Sequence, residues 1–151
     1  MRRLVHGFKF GGQSCLGEAL SQQLYEAYEQ QGLEVDVIAS VPLTGLRRRT
    51  RGYNQASMLA QNVAHWLALP YVEALSRRGR SMPQAQSPSA DQRRLNVAEA
   101  FGVRDSAAIE ARRVLLIDDV ATTGATLNAC ARELLNAGAS EVYGLTLARE
   151  D

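Results

Sequence analysis

Lysine is nearly missing from this 151-residue chain: Lys9 stands alone against sixteen arginines. Arginine keeps its charge and grips phosphate through a planar fork, so a nearly all-Arg basic set favours anion contacts. Cysteine is also scarce. Cys15 and Cys130 are too far apart in sequence for a zinc-type spacing, and no Cys-x-x-Cys occurs. Free thiols in a reducing compartment are the simplest account. His6 and His65 are likewise distant, which gives a histidine metal site little support. No run approaches the roughly 18 apolar residues of a membrane span. The opening Met1-Arg-Arg-Leu-Val-His6 lacks the long apolar stretch of a secretory signal, so cytoplasmic location is the default expectation. The sequence lacks a Gly-Lys-Ser or Gly-Lys-Thr phosphate loop, a Gly-x-Gly-x-x-Gly turn and a nucleophile-elbow serine. Kinase, dinucleotide-dehydrogenase and serine-hydrolase readings therefore lack their minimal parts.

The net charge of +1 conceals an uneven distribution. Residues 37–98 hold nine arginines against Glu73 and Asp91, whereas both flanking thirds are net acidic. The middle third is the expected contact surface for something anionic.

The chain reads as one domain. Leu16, Leu20, Leu24, Ala27 and Tyr28 share one face of a helix over 13–31, which Gly32 can stop. Val35–Val41 is a β-branched strand ended by Pro42. A basic loop follows, and Asn54 is placed to cap a second helix carrying Ala56, Leu59, Ala60, Val63 and Leu67. Tyr71–Leu75 reads as a strand. Residues 76–96, rich in Arg, Ser and Gln, read as a long flexible loop. Val97–Val103 and Val114–Ile117 return as strands. Leu127, Cys130, Ala131, Leu134 and Leu135 form a helical stripe closed by Gly138, with Cys130 expected in the core. Val142–Leu147 is the last strand and Ala148–Asp151 a tail. Alternating strands and helices predict a mostly parallel sheet with helices on both faces. Ligands then sit beyond the carboxyl ends of the strands, where Pro42 and Asp118-Asp119 both fall.

The most informative segment is Val114-Leu-Leu-Ile-Asp-Asp-Val-Ala-Thr-Thr-Gly-Ala-Thr126. An apolar strand ends in two carboxylates, and a hydroxyl-rich turn opens a helix. Ionised carboxylates are pure acceptors and suit two neighbouring ribose hydroxyls. The turn offers amides, Thr hydroxyls and a helix N-terminus to an anion. A ribose 5-phosphate site is the natural reading. The blander one is a strand end and a helix cap, but capping needs a single acid and two adjacent carboxylates repel.

This segment resembles the 5-phosphoribosyl-1-pyrophosphate (PRPP) signature of type I phosphoribosyltransferases, with Ala121 where a larger aliphatic is more usual. Leu4-Val-His-Gly-Phe-Lys-Phe-Gly-Gly12, Val41-Pro-Leu43, Arg51-Gly-Tyr-Asn-Gln-Ala56 and Arg93-Arg-Leu-Asn96 with Phe101 resemble blocks of the competence-protein ComF family. The resemblance implies the α/β, type I phosphoribosyltransferase-like fold. It places Asp118 and Asp119 on the ribose hydroxyls, and Ala121, Thr122, Thr123, Gly124, Ala125 and Thr126 around the 5-phosphate. Leu43, Thr44 and Gly45 are the pyrophosphate-loop candidates. Arg78, Arg80 and Arg93 are candidates for a loop closing over the site. Magnesium is expected with PRPP rather than on the protein alone. Many members carry an N-terminal zinc ribbon. This chain starts at the Lys-Phe opening, so it reads as a fragment or a member without that module, residues 1–12 as a remnant of a hood or extension, and no zinc is expected. The implied activity is transfer of the phosphoribosyl group to a base or amine with release of pyrophosphate. The alternatives are a non-catalytic competence factor binding single-stranded DNA through Arg47, Arg48, Arg49 and Arg51, and a PRPP sensor without turnover. Tyr53, Trp66 and Tyr71 are stacking candidates for DNA, although Trp66 is first expected in the core. A homodimer is left open.

Overall fold

A computed structural model describes residues 14–43, 54–78 and 100–149. Its elements are α1 (Ser14–Gln31), β1 (Val37–Ser40), α2 (Gln55–Leu67), β2 (Tyr71–Val72), β3 (Leu75–Arg77), β4 (Phe101–Val103), β5 (Arg113–Ala121), α3 (Ala125–Asn136) and β6 (Glu141–Arg149). Four strands form a parallel sheet in the order β2-β1-β5-β6, and β3 pairs with β4 in a separate antiparallel ribbon.

Strand alternation divides the core into two layers. Val37, Ala39, Val114 and Leu116 pack with Cys130 and Leu134 of α3 and with Leu75 and Phe101 of the ribbon. Ile38, Leu115 and Ile117 pack against Leu20 and Leu24 of α1 and Leu59, Ala60 and Val63 of α2. Burying each such Leu or Ile contributes about 1.5–3 kcal/mol. The parallel sheet with α1 and α2 on one face and α3 on the other is the expected architecture.

Several boundaries move. β1 occupies only Val37–Ser40 of the expected Val35–Val41. The expected strand Tyr71–Leu75 is two strands in different sheets, because Tyr71 pairs with Ile38 whereas Leu75 pairs with Val103. Ser76 and Arg77, expected in a structureless loop, belong to β3; residues 79–99 lie outside the described residues. Phe101–Val103 is the described part of the strand expected over 97–103. β6 continues through Ala148 and Arg149, which were expected in a tail. Asn54 precedes α2 as expected, but its side chain makes no cap bond. Its Nδ2 donates instead to the Val41 carbonyl at 3.0 Å, tying the start of α2 to the end of β1. Leu135 lies off the buried stripe at 48% exposed, and Trp66 is 37% exposed rather than core. Cys130 is fully buried as expected.

Candidate phosphosugar site

β5 is the spine of the site. Its four apolar residues Val114–Ile117 are buried between the two layers, and it runs four residues beyond Ile117 because β6 keeps pairing with it, Asp118 to Thr146 and Ala121 to Arg149. The Asp pair therefore lies inside the strand rather than beyond its end. Period-two alternation sends the two acids to opposite faces: Leu116 belongs to the α3 layer and Ile117 to the α1/α2 layer, so Asp118 follows the first and Asp119 the second. Asp118 is 9% exposed. Each acid accepts a hydrogen bond from the next amide, Asp118 Oδ1 from Asp119 N and Asp119 Oδ1 from Val120 N, both at 2.8 Å. These bonds fix the carboxylates against the backbone.

A concavity of about 190 Å³ opens here, lined by Asp118 and by every residue from Val120 to Leu127. Asp119 is not part of its wall. Gly124 initiates α3 with φ +75°, and a Cβ built on it would meet nothing within 4 Å. The left-handed backbone explains glycine, and the open space above it leaves room for a ligand against the chain. No acid occupies the first turn of α3, so the partial positive charge of its N-terminus is not offset there. Thr123 Oγ1 accepts from the Ala125 amide at 3.3 Å, which steadies the turn. Beneath the site, burial pushes the Cys130 thiol up to about 12, with the Asp118 charge adding to the effect. A thiol so held is a poor nucleophile at neutral pH.

The Val41 amide donates to the Ile117 carbonyl at 3.0 Å, so Pro42 and Leu43 follow β1 beside the end of Ile117 and the start of Asp118. Thr44, Gly45, Arg47, Arg48, Arg49, Arg51, Tyr53, Arg80 and Arg93 lie outside the described residues. Arg78 is described, and it is turned away from the cavity. Its guanidinium lies across Gly102, where an added Cβ would sit 2.7 Å from Nε, and reaches to 3.9 Å from Glu133. Glu133 is eight residues into α3, roughly 12 Å of helix rise beyond Ala125. The neighbouring Arg77 stacks on Phe101, 5.4 Å from the ring centroid. Val120, the first residue of the motif's loop, and Leu127, expected on the apolar stripe of α3, were not among the expected phosphate contacts and complete the cavity wall.

The aromatic candidates separate. Tyr71 places its hydroxyl between Ser40 at 3.0 Å and Ser57 at 2.7 Å, a partly buried bridge between β1, α2 and β2. Trp66 meets Tyr25 of α1 edge-on at 5.9 Å. α1 carries Glu18, Glu26 and Glu29 and no basic residue, a poor setting for a polyanion.

Fold and site together define a phosphoribosyltransferase-type domain. The chain belongs to the phosphoribosyl transferase domain family, which matches residues 17–150, and within it to the ComF branch. It is 36% identical over 152 residues to competence protein F of Haemophilus influenzae and 34% identical over 151 residues to DNA utilization protein YhgH of Escherichia coli. These alignments cover 97% of this chain but 66% of each relative, so the chain spans about two thirds of their length. Among solved structures it is similar to adenine phosphoribosyltransferase from Thermoanaerobacter pseudethanolicus, with a TM-score of 0.59 and 16% identity, covering 92% of this chain and 83% of that one. That likeness concerns the fold alone.

Proposed function

We propose that this domain binds PRPP and transfers its 5-phosphoribosyl group to a base or amine, releasing pyrophosphate. The observation that carries this is the concavity at the carboxyl end of β5, where Asp118 meets the Val120–Leu127 turn and the unneutralised N-terminus of α3. The 5-phosphate sits among the amides and hydroxyls of Ala121–Thr126. Asp118 accepts from a ribose hydroxyl. In this reading Asp119, which alternation puts on the α1/α2 face of β5, accepts from the neighbouring ribose hydroxyl. Transfer at the anomeric carbon passes through an oxocarbenium-like state, so the protein works by positioning and charge stabilisation and needs no covalent nucleophile.

No cluster of three or more metal-ligating side chains occurs among the described residues. Two adjacent carboxylates with a polyphosphate ligand nevertheless make the hard oxygen set that magnesium prefers. Magnesium would arrive on the oxygens of PRPP, with Asp118 the carboxylate on the cavity wall that could help hold it, and it would supply charge neutralisation of the leaving pyrophosphate. Titration calorimetry with PRPP and magnesium tests the site, and pyrophosphate release across a panel of bases tests turnover. Binding without release would make the domain a sensor.

A second reading rests on what the relatives are called, a competence protein and a DNA utilization protein. On it, Arg47, Arg48, Arg49 and Arg51 contact single-stranded DNA during uptake. Replacing Arg47, Arg48 and Arg49 with Ala should then lower DNA affinity and flatten its salt dependence. No described helix is long and apolar enough to cross a membrane, and we place the domain in the cytoplasm.

A further inference from the structure

β6 is an edge strand whose outer side pairs with no strand among the described residues. Natural edges are usually blunted by a central lysine, a proline, a bulge or a short length. β6 has none of these. It runs nine residues, and Val142–Ala148 contains no charge and no proline. Its pairing with β5 is in a single register throughout, without an inserted residue. The apolar side chains Val142, Tyr143, Leu145 and Leu147 pack on the two core layers yet remain only partly buried. The only charges are Glu141 at the first position and Arg149 at the last.

We propose that β6 pairs antiparallel with β6 of a second copy of this chain, about a twofold axis through Leu145. An antiparallel strand pair centred on one residue is self-complementary, as a twofold interface must be. In that register Glu141 faces Arg149 of the second copy, and Arg149 faces its Glu141. Tyr143 faces Leu147, and Leu145 faces itself. Residues 141, 143, 145, 147 and 149 share one face of the strand, so opposed side chains meet. A shift of register by two residues unpairs both charges. The union makes one eight-stranded sheet from two four-stranded ones. Because the two β6 strands run in opposite directions, the phosphosugar cavities open at opposite strand ends of the joined sheet. Each cavity remains complete within its own protomer.

The test is charge exchange read by sedimentation velocity over a concentration series. The unaltered chain should be a dimer. Glu141→Arg or Arg149→Glu replaces two attractions by two repulsions and should weaken the dimer about tenfold or more. The double variant Glu141→Arg/Arg149→Glu restores both pairs and should recover the dimer. A chain that is monomeric at every concentration overturns the proposal, as does a dimer indifferent to the single changes. Glu141 also accepts from the Tyr143 hydroxyl and sits beside Arg113 in the sheet register. A purely local defect of Glu141→Arg would therefore persist in the double variant, and failure to recover counts against the interface. Mixing the two single variants gives a second arm: Glu141→Arg (Arg at 141 and 149) with Arg149→Glu (Glu at 141 and 149) places an Arg–Glu contact at both ends, so the mixture should form a heterodimer although each variant alone is repelled, and a mixture that stays monomeric overturns the proposal.

Discussion

The two ends of the parallel sheet handle charge in opposite ways. At the amino end, Arg113 closes on the acids around it. Its Nε and Nη2 take both oxygens of Asp36 at 3.0 and 2.9 Å, its amide donates to Asp36 Oδ2 at 2.8 Å, and Nη1 reaches Glu34 at 2.7 Å. The chain's own groups use up one another's bonding capacity there, and the result is a clamp between β1 and β5. At the carboxyl end, the same β5 strand delivers Asp118 to a concavity walled by a glycine turn and a helix N-terminus. Among the residues lining this concavity, the positive end of a dipole comes from the amides that open α3. Carboxyl ends face helix N-termini in every β–α connection, so the anion-binding end is a consequence of chain direction.

The sharpest way to break this contrast is at the carboxyl end. Asp118→Asn with Asp119→Asn should cut PRPP affinity about 100-fold or more, since each charge-assisted hydrogen bond contributes about 1.5–3 kcal/mol. Calorimetry reads the loss, and an unchanged melting temperature shows that the fold survived. Gly124→Val comes next. It strains a backbone at φ +75° and fills the space above the turn, so PRPP affinity should fall about tenfold while stability falls by about 1–2 kcal/mol. A chemical melt and a binding isotherm separate the two effects.

Arg113→Ala should do the reverse, lowering the melting temperature while leaving PRPP affinity intact. This effect should depend on pH. The Arg113 hydrogen bonds hold the Asp36 carboxyl at about 2, below its ordinary 3.8. As pH falls from about 4 towards 2, the unfolded chain takes up the proton first, so the clamp's contribution is full above that window and fades within it. The melting-temperature gap between the unaltered chain and Arg113→Ala should therefore narrow from pH 4 to pH 2. The smallest effect concerns Cys130. Buried, and with its thiol pushed up to about 12, it should resist iodoacetamide at pH 8 in the folded chain and react after denaturation, as peptide mass spectrometry will show.

Local chemistry made much of this legible before any coordinates. The Asp-Asp-Val-Ala-Thr-Thr-Gly-Ala-Thr run carries its own turn, and the buried periodicity of Leu20 and Leu24, or of Leu59, Ala60 and Val63, identifies its helices. Arg78 was less legible. As one of several arginines near a long polar stretch it resembled a lid residue, but the surface of Gly102 and the charge of Glu133 draw it along α3. Asn54 sits at the predicted helix start, yet a carbonyl thirteen residues earlier claims its side chain. Trp66 shows the same limit: its helical position suggested burial, and only the placement of α1 beside it left the ring half open against Tyr25.

By itself the sequence determined the α/β alternation, the turn that meets a phosphate and the family to which the chain belongs, because each rests on residues adjacent in the chain or repeated at a fixed period. Tertiary structure alone decided that Leu75–Arg77 leaves the main sheet for a ribbon, that Asp118 and Asp119 divide between two faces, and that β6 is an edge strand of the sheet among the described residues. These depend on which distant strand lies alongside, and hydrogen-bond pairing between strands leaves no local mark in the chain.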